Sequence, residues 1–122
     1  MSKRILAVDD QEDNRRILRD LLTNVGYEVI EATSGEEAVT QAEAHTPDLI
    51  LMDIQLPGID GYEATRRIKA QPDLRRIPLI VVTSYALSGD ETKALAAGAD
   101  AYVSKPFSPR ALLAKIREYL PS

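Results

Sequence analysis

Cysteine is absent from the 122-residue chain, which excludes several kinds of site. Without thiols the protein has no disulfide bonds, no thiolate zinc site and no cysteine nucleophile. A surplus of positive charge is also missing, since 15 lysine and arginine residues stand against 19 aspartate and glutamate residues. The net charge of -4 argues against nucleic acid or an anionic membrane surface as the main partner, because both attract basic proteins.

Long apolar runs are missing as well, and none approaches the ~18 residues that a membrane-spanning helix needs. The first apolar run, at residues 5–8, is too short for the hydrophobic region of a signal peptide, and two aspartates follow it at once. We therefore expect a cytoplasmic location. The sequence contains no internal repeat, linker or low-complexity segment, so its length predicts one domain.

Short apolar runs alternate with stretches of helical spacing. The runs cover residues 5–8, 29–30, 49–52, 79–82 and 101–103, and the predicted helices cover residues 13–25, 35–45, 61–71, 89–97 and 109–120. Strands that are apolar throughout are typical of parallel sheets, which are buried on both faces. The alternation predicts an α/β fold, a doubly wound five-stranded parallel sheet with five helices. We favour the flavodoxin-like strand order 2-1-3-4-5, which periodicity alone does not determine.

The ends of the helices are marked by particular residues. Five apolar residues of the first helix follow an i, i+1, i+4, i+5, i+8 spacing that predicts a buried stripe: Ile17, Leu18, Leu21, Leu22 and Val25. Gly26 follows where a left-handed C-cap residue is expected. The predicted N-caps of the four later helices are Ser34, Asp60, Ser88 and Ser108.

Residues capable of chemistry stand directly behind four of the predicted strands. Asp9 and Asp10 follow strand 1, and Asp53 follows strand 3. Thr83 follows strand 4, and Lys105 stands close behind strand 5. In an open parallel sheet, ligands bind outside the carboxyl ends of the strands, near the switch in strand order. We therefore expect these five side chains at one edge of the sheet.

Three carboxylates at one edge without a cation would have shifted pKa values or would destabilise the fold, because two carboxylates ~4 Å apart repel by roughly 4 kcal/mol in a protein environment. Oxygen ligands suit a hard divalent ion such as Mg²⁺, which combines one or two carboxylates with water and phosphate oxygens. Lys105 adds a mobile positive charge and Thr83 adds a hydroxyl donor. The set predicts a metal next to a phosphoryl group, and one aspartate could act as the nucleophile.

At these residues the chain resembles the receiver domains of two-component response regulators, the CheY-like family. The resemblance rests on the acid pair and on residues 51–61 (LMDIQLPGIDG), 82–84 (VTS) and 102–106 (YVSKP). Each segment is weakly specific alone, whereas the ordered set at these spacings is highly specific. The chain is also similar to stand-alone receivers of the DivK type and to receivers of hybrid kinases. The resemblance implies one receiver domain over residues 1–122. We expect no output domain within them, because the predicted fifth helix already uses residues 109–120.

The resemblance implies catalytic and switching roles for the matching residues. Asp53 is the implied phosphoacceptor, and Thr83 and Lys105 are the implied contacts of the phosphoryl oxygens. Tyr102 is the implied switch aromatic that follows the movement of Thr83, although a plain core aromatic is the alternative. The Lys105–Pro106 peptide bond is implied to be cis.

The resemblance also implies a cofactor, Mg²⁺ or Mn²⁺. The implied ligands are Asp9 acting through water, the carboxylates of Asp10 and Asp53, and the backbone carbonyl of Gln55. The implied phosphodonor is a histidine kinase or a histidine phosphotransfer protein.

The implied output is a change in the surface of helix 4, strand 5 and helix 5, roughly residues 87–119, for an unknown downstream protein target or for onward phosphotransfer. The chain would catalyse its own phosphorylation and dephosphorylation, and would otherwise not be an enzyme. We expect no nucleic-acid or membrane partner, and a monomer or weak dimer.

Two other functions would need different residues after strand 1. A haloacid-dehalogenase-like phosphatase would carry its nucleophile in an Asp-x-Asp motif after strand 1, but residues 9–12 read Asp-Asp-Gln-Glu. Such a phosphatase usually also has a cap insertion, for which the chain has no room. A flavodoxin-like FMN-binding protein would need a glycine- and hydroxyl-rich phosphate loop after strand 1. The acidic segment would repel that phosphate, so both functions are disfavoured.

Overall fold

A computed structural model of the chain describes residues 3–83, 90–105 and 108–120. Within these residues, five strands alternate with five helices. The strands are β1 (Arg4–Val8), β2 (Glu28–Ala32), β3 (Leu49–Met52), β4 (Leu79–Thr83) and β5 (Ala101–Ser104). The helices are α1 (Glu12–Asn24), α2 (Gly35–His45), α3 (Gly61–Lys69), α4 (Asp90–Ala96) and α5 (Pro109–Tyr119). The predicted helix ends lie within two residues of these bounds.

The five strands form one parallel sheet in the order β2-β1-β3-β4-β5, which confirms the predicted order. Because all strands are parallel, their carboxyl ends lie at the same edge. Val8 at the end of β1 pairs with Ala32 on one side and with Met52 on the other. The residues that follow β1 and β3 therefore start from neighbouring positions at this edge.

The sheet is covered on both faces, which explains why its strands are continuously apolar. Leu6 and Ile50 pack in a layer with α2, α3 and α4. Their neighbours Ile5 and Leu49 point the other way, into a layer with α1 and α5. Of the helices in the described part of the chain, none has the length and apolar character to cross a membrane.

Three of the four residues predicted to cap helix N-termini do so, and the fourth, Ser88, lies outside the described residues. Ser34, Asp60 and Ser108 each accept a hydrogen bond through a side-chain oxygen from the backbone N–H three residues ahead, at 3.1, 2.9 and 3.0 Å. Gly26, two residues beyond α1, has a φ of 100°, a left-handed conformation that glycine adopts without strain.

The predicted apolar stripe of α1 was partly wrong. Leu18 and Leu22 are buried, but Ile17 is 59% exposed and Val25 is 40% exposed. The third buried position of the helix is Arg15, at 9% exposure. The buried face of α1 therefore follows an i, i+3, i+7 spacing and is narrower than the predicted stripe. Arg15 can belong to this face because its guanidinium is paired with carboxylates.

Lys69 connects the end of α3 to the segments that precede β4 and β5, at the amino ends of these strands. Its Nζ donates hydrogen bonds to the carbonyls of Arg75 (2.9 Å) and Ile77 (2.7 Å) and forms an ion pair with Asp100 (3.0 Å). Asp100 also accepts a hydrogen bond from the backbone N–H of Leu79, at 2.8 Å. Only 13% of the Lys69 side chain is exposed, so little water can replace these partners.

We expect Lys69→Met to lower the free energy of unfolding by about 1–3 kcal/mol, because it removes the largely buried ammonium that the carbonyls of Arg75 and Ile77 and the Asp100 carboxylate share. Urea denaturation monitored by circular dichroism measures this loss. Lys93→Met, which removes an exposed lysine of α4, is the matched control and should change stability by less than about 0.5 kcal/mol. Equal midpoints for the two variants would contradict the role of Lys69.

Candidate functional site

Three aspartates meet at the carboxyl edge of the sheet. One carboxylate oxygen from each of Asp9, Asp10 and Asp53 lies within 4.8 Å of the other two. Asp9 and Asp53 are buried, at 1% and 8% exposure, whereas Asp10 is exposed. Carboxylate oxygens are ligands that a hard divalent cation prefers, and a cation can take some of them directly and others through bound water. The residues present therefore fit a hard divalent cation.

Asp9 is held by hydrogen bonds at both its backbone and its side chain. Its N–H donates to the carbonyl of Ala32 (3.1 Å), and its carbonyl accepts from Nη1 of Arg15 (2.8 Å). Its Oδ1 accepts from the backbone N–H of Gln11 (2.9 Å), and its Oδ2 accepts from Nζ of Lys105 (3.0 Å). Little freedom remains for this carboxylate.

Asp53 is fixed by the residues around the end of β3. Its backbone N–H donates to the carbonyl of Val8 at 3.1 Å, which places it beside the end of β1. Its Oδ1 accepts a hydrogen bond from the N–H of Ile54 at 2.7 Å, and its Oδ2 lies 3.6 Å from Nζ of Lys105. One carboxylate oxygen is thus held by the backbone and the other faces the lysine.

Burial raises the pKa of Asp53 above the ordinary aspartate value. The Lys105 ammonium opposes this rise, the Asp9 carboxylate adds to it, and the backbone N–H of Ile54 also opposes it. The net direction is upward, so burial at this position disfavours the charged form of the carboxylate. A cation bound beside it would favour that form.

Lys105 and Thr83 complete the group of residues that was expected at this edge. The Lys105 side chain is 18% exposed and forms ion pairs with both Asp9 and Asp53. Its backbone N–H donates to the carbonyl of Thr83 at 2.6 Å, which ties the segment after β5 to the end of β4. Thr83 itself is fully buried. All of these residues lie at the same edge of the sheet.

Of the three remaining predicted residues, the structure describes two, Tyr102 and Gln55. Tyr102 is half-buried in β5, opposite Val81 of β4, and packs against the core layer of α2, α3 and α4. Gln55 is exposed, two residues beyond Asp53. Pro106, and with it the predicted cis peptide bond, lies outside the described residues.

Gly61 supports the site but was not identified from the sequence as a residue of this kind. A Cβ atom at this position would lie 2.0 Å from the carbonyl oxygen of Asp53 and 2.7 Å from Cα of Ile54. The Gly61 N–H also donates to the carbonyl of Ile54 at 2.9 Å. Any side chain here would push the backbone that carries Asp53. The sequence signals for this role are its position directly after an N-cap residue and at the end of segment 51–61, which carries the family resemblance.

An apolar groove of about 330 Å³ borders the acidic cluster. It is lined by Asp9, Asn14, Ile17, Leu18, Leu21, Lys105 and Pro109. The exposed Ile17 therefore lies on an open surface beside the site, between α1 and the start of α5, rather than in the core.

Comparisons with known proteins agree with this geometry. The sequence model of the response regulator receiver domain matches residues 5–117. The polar-differentiation response regulator DivK of Brucella ovis is 46% identical over 120 residues, which are 98% of this chain and 98% of that protein. Coverage of this kind, together with the match to the domain, shows that the chain belongs to the response regulator receiver family.

Two solved structures are also similar over their whole lengths. The receiver domain of a sensor histidine kinase from Pseudomonas aeruginosa PAO1 is 39% identical, with a TM-score of 0.92 and 100% of both chains covered. That structure has a magnesium ion coordinated in its active-site cleft. A putative response regulator from Chloroflexus aurantiacus is 34% identical, with a TM-score of 0.94 and 100% of both chains covered.

Receiver domains are phosphoacceptor signalling domains of two-component systems, and they bind Mg²⁺ at an acidic pocket. They interact with histidine kinases or phosphotransfer proteins and with downstream targets. The family, fold and signalling function predicted from the sequence are thereby confirmed.

We expect Asp53→Asn to stabilise the metal-free protein at neutral pH. Because the pKa of Asp53 is raised in the folded state, its ionisation opposes folding. This destabilisation is absent below the unfolded pKa of about 3.9 and is complete above the folded pKa. The advantage of the asparagine variant should therefore shrink to nothing as the pH falls below the unfolded value.

Urea denaturation with a chelator present, at neutral pH and in acid, measures this difference. Asp60→Asn is the control, because asparagine caps a helix as well as aspartate does. Equal midpoints for Asp53→Asn and wild type at neutral pH would show that the buried charge carries no penalty.

Proposed function

We propose that Asp53 is the phosphoacceptor of this receiver, and that a divalent cation, Mg²⁺ or Mn²⁺, binds beside it. The observation that carries the proposal is the convergence of three carboxylates and one ammonium group at the carboxyl edge of the sheet. The proposed metal ligands are Asp9 acting through water, Asp10, Asp53 and the backbone carbonyl of Gln55.

The hydrogen bonds support different roles for the two acids after β1. Both carboxylate oxygens of Asp9 already accept hydrogen bonds, one from Gln11 and one from Lys105. This supports an indirect contact with the cation, through a water molecule. Asp10 is exposed, so its carboxylate can turn toward an ion from the solvent side.

In the proposed reaction, a carboxylate oxygen of Asp53 attacks the phosphorus of a phosphohistidine in line with the leaving nitrogen. The new O–P bond forms as the P–N bond breaks, and the histidine imidazole leaves with the electron pair and takes up a proton. The cation, when bound, neutralises charge on the phosphoryl oxygens. Lys105 Nζ and the Thr83 hydroxyl donate hydrogen bonds to the same oxygens.

Dephosphorylation follows the same geometry with water as the nucleophile. Water attacks the phosphorus of the aspartyl phosphate as the bond from phosphorus to the Asp53 oxygen breaks, and the products are inorganic phosphate, the Asp53 carboxylate and a proton that is released to solvent. The protein itself would thus catalyse both steps, with Lys105 and Thr83 orienting the phosphoryl group.

The proposed phosphodonor is a histidine kinase or a histidine phosphotransfer protein, which would approach the carboxyl edge. The proposed output surface consists of α4, β5 and α5. On this face Leu95 is 48% exposed, an apolar side chain that a protein target could cover. The net charge of -4 favours protein partners over nucleic acid or an anionic membrane. We also propose that the protein acts in the cytoplasm, as predicted from the sequence.

Acetyl phosphate and Mg²⁺ should add one phosphoryl group to the wild type, because a small phosphodonor needs only the residues of the site. Intact-mass spectrometry measures the addition. Hydroxylamine should remove the group, as it does from acyl phosphates, and a chelator should prevent its addition.

Asp53→Asn should stay unlabelled, since it lacks the nucleophilic oxygen. Asp60→Asn is the matched control and should be labelled like the wild type, because this exposed acid caps α3 and stands outside the cluster. Equal labelling of Asp53→Asn, or no labelling of the wild type, would overturn the proposal.

Thr83→Ala should accept phosphate but fail to transmit the change to β5. Removing the hydroxyl leaves the Asp53 nucleophile intact, whereas the inward movement of Thr83 that Tyr102 would follow is lost. NMR of ¹⁵N-labelled protein with acetyl phosphate measures the amide shifts of Ala101–Ser104. Thr40→Ala, at an exposed position on α2, should shift like the wild type. Wild-type shifts in a phosphorylated Thr83→Ala protein would refute the coupling.

A further inference from the structure

Arg15 is a buried arginine with three different partners. Its Nη1 donates to the carbonyl of Asp9 at 2.8 Å, and its Nε donates to Oε1 of Glu31 at 3.1 Å. Its Nη2 pairs with the carboxylate of Glu12. Arg19, one turn further along α1, holds the second carboxylate oxygen of Glu31 at 2.7 Å. The planar guanidinium is therefore locked between α1, β2 and the loop after β1.

The Arg15 side chain holds the backbone from which the acid pair projects. The carbonyl of Asp9 belongs to the rigid peptide plane that joins Asp9 to Asp10. A hydrogen bond to that oxygen fixes the rotation of the plane, and with it the direction in which Cα of Asp10 presents its side chain. The backbone N–H of Arg15 also donates to the carbonyl of Gln11 at 3.1 Å, so the same residue closes the first turn of α1 behind the loop.

We propose that Arg15 is a positioning residue for the cation site. Its guanidinium fork, anchored on Glu31, orients the Asp9–Asp10 peptide so that both carboxylates face Asp53. This role rests on the proposed cation site, and Arg15 itself contacts neither the cation nor the phosphoryl group.

Orientation and charge predict opposite effects when Arg15 is removed. A positive charge close to an acidic cluster repels a divalent cation, so the loss of charge alone would tighten Mg²⁺ binding. Loss of orientation would weaken it, because groups that hold metal ligands in place typically contribute about 10- to 100-fold in affinity. The sign of the change therefore separates a positioning role from a purely electrostatic one.

The test compares wild type, Arg15→Met, Arg15→Lys and Arg16→Met. Methionine keeps the length and apolar character of the arginine stem without its charge. Lysine keeps the charge but lacks the fork that reaches two partners at once. Arg16 is the matched control, because it stands next in α1, has a side chain that is 60% exposed, and pairs only weakly with Asp13, at 3.6 Å.

Titration calorimetry with Mg²⁺, and electron paramagnetic resonance with Mn²⁺, measure binding directly and independently of phosphorylation. We expect Arg15→Met to bind Mg²⁺ about 10-fold more weakly than wild type and Arg15→Lys to fall between the two. Arg16→Met should bind as tightly as wild type or slightly more tightly. Arg15→Met should also be labelled by acetyl phosphate more slowly than wild type at low Mg²⁺ concentration. A high Mg²⁺ concentration should restore its labelling rate toward the wild-type rate.

Unchanged or tighter Mg²⁺ binding by folded Arg15→Met would overturn this role while leaving the proposed function intact. A labelling rate that stays low at saturating Mg²⁺ would also overturn it, because the defect would then lie outside cation binding. If Arg15→Met does not fold, as circular dichroism would show, Arg15→Lys decides the matter, and wild-type affinity in that variant contradicts the role. Absence of Mg²⁺ binding by the wild type would overturn the proposed site and this role together.

Discussion

Mutual repulsion of carboxylates at the carboxyl ends of β1 and β3 is the constraint on which the rest of the site depends. Asp9 and Asp53 are buried there because the parallel pairing of their strands brings the following residues together. Lys105 balances part of their charge, at 3.0 Å from Asp9 and 3.6 Å from Asp53. Burial still raises the pKa of Asp53, and the Asp9 carboxylate adds to that rise, so a cation bound at this edge would favour the charged form of the carboxylate.

The backbone around the acids is held as firmly as the acids themselves. Gly61 allows α3 to begin in direct contact with the carbonyl of Asp53, where any Cβ would collide. Arg15 holds the carbonyl of Asp9 from the other side of the sheet edge. Functional side chains need close positioning, and here the restraints on the acids come from residues outside the acidic cluster.

Much of the fold and of the site was predictable because both depend on local pattern. Apolar runs identify the strands, capping residues identify helix ends, and residues directly behind parallel strands must share an edge. The prediction failed where burial depends on the partner surface. Ile17 lies on the predicted stripe of α1, yet it borders a groove, whereas Arg15 is buried because Glu31 of β2 lies within reach. Periodicity places a side chain on a face but does not show what that face meets.

The sequence by itself determined the class of fold, the family and the identity of the acids, because these follow from the order and spacing of residue types along one chain. Only the tertiary structure decided that Asp9 has both carboxylate oxygens engaged, that Gly61 has no room for a side chain, and that a charged residue completes the buried face of α1. The physical reason is that each of these depends on atoms from segments far apart in the chain, whose distances no local pattern records.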